Sequence, residues 1–162
     1  MTKHTCSIVG IMAMAGALTA STADAAVTTS YAGTECVQEV VSTPSIVYQS
    51  SRASNNGGST AYFACPAAQH GGRLLRASVY GRDLDTGAAV TCYVAVMNPF
   101  DTSGFTSASA SSGVAFFGSF TLNLGSLPAT FFDPGSKVVH CTLPPNPGFD
   151  GCAIGSYRIT EE

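Results

Sequence analysis

The residues best placed to do chemistry in this chain are its cysteines, histidines and a short run of aspartates. Five cysteines follow residue 25, at Cys36, Cys65, Cys92, Cys141 and Cys152. No two are spaced Cys-x-x-Cys, so neither a redox dithiol nor a ribbon-type zinc site is written into them. An odd set cannot close internally, and two disulfides with one thiol left over is the simplest outcome. His140 precedes Cys141, the residue types of a nucleophile and its base. In a strand, however, neighbours point to opposite faces of the sheet, so that dyad cannot form and His140 reads as a satisfied surface imidazole. His70 lies in the turn Gln69-His70-Gly71-Gly72, and with only these two histidines after residue 25 a three-histidine zinc site is out of reach.

Asp83-x-Asp85-x-Gly87 matches the opening of a calcium loop, in which spaced carboxylates surround a hard cation. The rest of that pattern would need Gly at 88 and Glu at 94, where the chain has Ala88 and Val94. A hairpin turn whose aspartates cap backbone amides accounts for the same residues. Gly-x-Ser-x-Gly and His-Glu-x-x-His are both absent. The acidic residues fall mostly in predicted turns or at the termini, which gives paired-carboxylate glycoside hydrolysis no support. The reading is therefore non-enzymatic, with no cofactor and no metal, and an unrecognised hydrolase is the third-ranked alternative.

These residues must be positioned by strands. From residue 37 onward the sequence alternates with a step of two, broken by Gly, Pro, Asn and Ser clusters, and no stretch carries a helical period. Strands are predicted at 37–41, 45–49, 60–65, 73–81, 88–97, 114–124, 136–143 and 153–160. Asn55-Asn56-Gly57-Gly58 is a hairpin signal, and 98–113, rich in Ser, Ala and Gly and containing Phe100 and Phe105, reads as a mobile loop. Presentation of that loop as a proteinase inhibitor ranks lowest among the functions. About eight short strands with regular turns predict an all-β fold, an antiparallel β-sandwich or jelly-roll-like domain.

Alternation also predicts which side chains face inward: Val90, Cys92, Val94 and Val96; Phe116, Phe120, Leu122 and Leu124; Val139, Cys141 and Leu143; Ala61, Phe63 and Cys65. Three cysteines in separate strands thus project into one core. Cys92 is paired with Cys141 and Cys36 with Cys65, which leaves Cys152 as either a spare surface thiol or an intermolecular bridge. Tyr48, Tyr62, Tyr80 and Tyr93 alternate with core residues and are candidate ligand contacts, since flat rings stack on sugar faces. Local cross-strand packing explains the same positions, and the chain has no Trp.

The first 25 residues read as an address label. Lys3 and His4 precede an apolar stretch from Ser7 to Thr19, and Ala23-Asp24-Ala25 offers the small residues a signal peptidase accepts. Residues 1–25 are thus predicted to be a signal peptide and 26–162 a single secreted β-sandwich domain, extracellular or periplasmic, with no membrane insertion after cleavage. Export favours oxidised cysteines. The net charge of −3 and the scattered arginines supply no footprint for nucleic acid.

Tyr31-Ala32-Gly33-Thr34-Glu35-Cys36, Cys65-Pro66, Val90-Thr91-Cys92-Tyr93-Val94, Cys141-Thr142-Leu143-Pro144-Pro145 and Ser156-Tyr157-Arg158-Ile159 together resemble a group of small exported bacterial β proteins of uncharacterised function. The resemblance spans most of the chain after the leader and implies structural residues only. Cys152 departs from the four-cysteine spacing of that group and is a competing partner for any of the four. Low charge, hydroxyl-rich strands and an odd cysteine make a structural, surface or self-assembling homo-oligomer the first expectation. A carbohydrate-binding module using the strand tyrosines on surface glycans is the second.

Overall fold

The computed structural model describes residues 26–39, 46–67, 74–97, 104–106, 109–127, 136–146 and 151–162. Among the described residues twelve strands succeed one another: β1 Val27–Ala32, β2 Val37–Gln38, β3 Ile46–Gln49, β4 Arg52–Asn55, β5 Ala61–Pro66, β6 Leu74–Asp83, β7 Thr91–Met97, β8 Gly104–Thr106, β9 Ala110–Ser111, β10 Gly118–Asn123, β11 Ser136–Leu143 and β12 Cys152–Glu161. One sheet, here sheet A, runs β10-β6-β12-β4-β3, with β1 also on β12; the other, sheet B, runs β2-β5-β11-β7-β8, with β9 also on β7. Every pairing is antiparallel. The chain is an antiparallel β-sandwich, as the alternation predicts.

The alternating apolar residues explain why the sheets face each other. Val79, Ile154, Tyr157 and Ile159 of sheet A and Phe63, Val94, Val139 and Leu143 of sheet B are buried in one cluster. Each large apolar side chain so buried contributes about 1.5–3 kcal/mol. The predicted inward sets are buried, except that Phe116 is only partly so.

Both disulfides form as paired from the sequence, Cys36 with Cys65 and Cys92 with Cys141. Cys92 and Cys141 are direct cross-strand neighbours on β7 and β11, and Cys36 precedes β2 where that strand pairs with β5. Both bonds therefore staple sheet B, and neither joins the two sheets. The sheets are tied by buried polar contacts instead. Lys137 of β11 meets Glu161 of β12, Nζ to Oε1 at 2.6 Å. The Tyr157 hydroxyl donates to the Pro66 carbonyl, and Asn55 Nδ2 donates to the Leu143 and Pro144 carbonyls at 3.2 and 3.0 Å.

Three expectations are corrected. Asn55-Asn56-Gly57-Gly58 is not a hairpin: β4 belongs to sheet A and β5 to sheet B, so the segment is a crossover, anchored by the buried Asn55. The Asp83 to Gly87 turn likewise carries the chain from β6 in sheet A to β7 in sheet B. The 98–113 segment is not simply a loop, because β8 and β9 pair with β7. Strands β1 and β4 were also unforeseen, since Thr28, Thr29 and Ser30 carry no apolar alternation and β4 is short. Between β1 and β2 the chain changes sheets at Gly33, where a Cβ would lie 2.0 Å from the Ile154 carbonyl oxygen.

Residues 1–25, His70 and Phe100 lie outside the described residues, as do the side chain of Phe105 and the predicted leader. Among the described residues no helix is long and apolar enough to cross a membrane.

Candidate functional site

The outer face of sheet A is built by the residues that alternate with its core positions. On β6 the inward Ala77 and Val79 leave Arg76, Ser78, Tyr80 and Arg82 outward, and on β12 Tyr157 and Ile159 do the same for Ser156, Arg158 and Thr160. Register then sets the neighbours. Across the sheet, Thr121 lies beside Tyr80 and Tyr80 beside Ser156; one row on, Asn123, Ser78, Arg158 and Ser30 follow one another; then Arg76, Thr160 and Thr28. Ser119, Arg82, Ala153 and Ser54 form the row at the other end. A register shift between Ile154 and Ser156 marks a bulge at Gly155, which bends the strand.

Two adjoining depressions result, of about 480 and 410 Å³, and Tyr80 lines both. Ala153 and Gly155 give the second a low floor. The Arg158 guanidinium stands 5.8 Å from the Tyr80 ring centroid, and its Nε donates to Ser30 Oγ at 3.2 Å. Around it, Ser78 Oγ donates to Asn123 Oδ1 at 2.9 Å, and the Thr28 and Thr160 hydroxyls are 3.0 Å apart. Such a surface offers donors, acceptors and one ring half-held by a cation.

The four candidate tyrosines do not share this face. Tyr80 is central to it, but Tyr62 and Tyr93 lie on the opposite side of the sandwich, in sheet B, and Tyr48 sits exposed on the edge strand β3. A four-tyrosine platform is therefore not formed. Tyr93 is stacked on His140 with ring centroids 5.1 Å apart, and His140 Nδ1 is 2.9 Å from Glu39 Oε1. His140 is thus satisfied at the sheet surface, while Cys141 points inward and is bonded to Cys92.

Cys152 is corrected more sharply. It is the free cysteine among the described residues, but it is 0% exposed, so it is neither a surface thiol nor available to a second chain in the folded state. Its Sγ donates to Asp83 Oδ1 at 3.3 Å and accepts from the Leu84 amide at 3.4 Å. Asp83, itself buried, also accepts from the Asp85 and Val90 amides and from the Ser112 hydroxyl, while Asp85 accepts from the Gly87 amide. The aspartates are spent on backbone amides, and among the described residues no cluster fit to hold a metal is found.

Burial, with the Asp83 carboxylate beside it, pushes the Cys152 thiol up from 9.0 to about 11. A thiol kept neutral in the fold but free to ionise when unfolded contributes stability below pH 9 that is lost as the pH rises toward 11. Cys152→Ala should flatten the alkaline limb of a urea-midpoint-versus-pH curve over that window. The native chain without residues 1–25, and so without Cys6, should resist iodoacetamide at pH 8 and take up one label in urea, on Cys152. Rapid native labelling would contradict the placement.

Comparison with known proteins adds little. No family model and no curated protein matches. The crystal structure of a Podospora anserina GH26-CBM35 β-(1,4)-mannanase is similar at 12% identity and a TM-score of 0.44, covering 83% of this chain and 28% of that one. A CBM35 from Paenibacillus barcinonensis is similar at 12% identity and a TM-score of 0.37, covering 83% of this chain and 99% of that one. The present chain thus spans less than a third of the mannanase. The fold assignment stands on strand order and register.

Sequence reasoning missed the arginines. Scattered along the sequence, Arg52, Arg76, Arg82 and Arg158 all line the two depressions of sheet A. Part of the signal was present, because 76 and 82 share the parity of Tyr80 on one strand.

Proposed function

We propose that this chain is an exported, non-enzymatic glycan-binding β-sandwich, and that the outer face of sheet A is its binding face. The observation that carries the reading is the pair of adjoining depressions joined at Tyr80. A half-buried ring with its face flanked by Arg158, amid hydroxyls fixed by strand register, suits a polyhydroxylated ligand that stacks on one side and hydrogen-bonds at its edges. The two disulfides support an oxidising compartment. Covalent self-assembly loses its main support with the burial of Cys152.

Tyr80→Ala should weaken retention on a polysaccharide affinity gel roughly tenfold, the scale of one lost aromatic contact. Tyr62→Ala and Tyr93→Ala, on the far side of the sandwich, should leave it unchanged. Weakening by the sheet B variants alone would move the site to the other face and contradict the proposal.

A further inference from the structure

Charge is distributed unevenly over this molecule. The net charge is −3, yet among the described residues every exposed or half-buried cation, namely Arg52, Arg76, Arg82 and Arg158, lies on one face. The remaining described cation, Lys137, is buried against Glu161. No carboxylate lines either depression among the described residues. Glu35 and Glu39 lie about β2 at the edge of sheet B, Asp83 and Glu161 are buried, Asp85 caps a turn, and Glu162 lies beyond the end of β12.

The spacing is that of a ladder. Arg76 and Arg82 are six residues apart on one strand, roughly 20 Å, and Arg158 stands on the neighbouring strand between them, opposite Ser78. Concentrating like charges on one surface is unfavourable without a counter-charge, and among the described residues Arg76 and Arg82 have no acidic partner. Guanidinium forks match carboxylates bidentately, and the hydroxyl rows between them match sugar hydroxyls. A single sugar would reach one arginine, whereas an extended chain would reach several.

We infer that the ligand is an anionic glycan, an extended polysaccharide bearing carboxylate groups that are read by Arg76, Arg82 and Arg158 while a sugar ring packs on Tyr80. This deepens the proposed glycan-binding function and rests on it. The hydroxyl rows and the absence of exposed lysine among the described residues favour a glycan over a nucleic acid.

The test is affinity electrophoresis of the full chain against a panel of carboxylated polysaccharides (polygalacturonate, alginate and hyaluronate), each beside its methyl-esterified form, with polyglutamate and a single-stranded polynucleotide as sugar-free polyanions. At least one acidic polysaccharide should bind on the order of tenfold or more tighter than its ester, and rising salt should weaken it. Arg76→Gln and Arg158→Gln, at exposed positions, should each erase most of that preference, and Arg158→Lys should restore it only in part. Tyr80→Ala should weaken acid and ester forms alike. Equal binding of acid and ester would overturn the anionic specificity and leave the glycan-binding function standing. Binding of no polysaccharide would overturn both. Equal retention of polyglutamate or the polynucleotide would overturn the glycan in favour of a general polyanion site.

Discussion

Replacing Lys137 by alanine is expected to lower the unfolding free energy by about 3–5 kcal/mol, as removal of one partner from a buried ion pair does. The side chains of Lys137 and Glu161 are 1% and 4% exposed, and their contact joins β11 of sheet B to β12 of sheet A. Without the ammonium, the buried Glu161 carboxylate would lose its 2.6 Å contact to Lys137 inside the sandwich, which costs stability. The double variant Lys137→Met with Glu161→Leu removes both charges at similar volume and should recover most of the loss, because the pair repays little beyond its own desolvation. Urea unfolding at neutral pH, followed by circular dichroism, separates the cases. A loss under about 1 kcal/mol in Lys137→Ala would mean that the pair is hydrated and contributes little to holding the sheets together.

Removing the Cys92–Cys141 bond as the double alanine variant should cost about 4 kcal/mol, the upper end expected for a link spanning a sequence separation of 49. The Cys36–Cys65 bond, with a separation of 29, should cost about 3.5 kcal/mol on the same chain-entropy argument. The location of the bonds gives the prediction a second part. Both lie within sheet B, so a disulfide variant that still folds should retain the proposed glycan binding on sheet A, with Tyr80 and Arg158 undisturbed. Parallel loss of binding and stability at temperatures where the variant remains folded would show that the two sheets do not act as separable supports.

How much of this was legible in the sequence follows from what a period of two can encode. Alternation told inside from outside along a strand, which is why Cys92, Cys141, Val139 and Phe63 were assigned to the core and why His140 was separated from Cys141. It also licensed the Cys92–Cys141 bond, since inward cysteines on strands meet readily, whereas Cys36 precedes its strand and alternation gave its pairing with Cys65 no support. Alternation says nothing about which strand lies beside which. Asn55 to Gly58 has the composition of a hairpin, but the chain uses it to cross between sheets, where Asn55 finds carbonyls at and just past the end of β11 as well as on its own turn. Cys152 was misplaced on the surface for a related reason. An odd cysteine reads as a surface or bridging thiol, whereas β12 begins at Cys152 and tucks its thiol against Asp83, sixty-nine residues away. The arginine face is the plainest case of non-local information. Arg76, Arg82 and Arg158 converge only because β6 and β12 are neighbours, a pairing between segments that are distant in sequence.

The most direct test of the binding face is residue-resolved: amide chemical-shift mapping of the oxidised chain titrated with an oligosaccharide cut from the tightest-binding polysaccharide of the panel. Perturbations should concentrate at Arg76, Ser78, Tyr80, Ser156, Arg158 and Thr160, on β6 and β12, and should leave Tyr62, Tyr93 and His140 unmoved. Perturbations confined to sheet B, or spread evenly over both faces, would contradict the account.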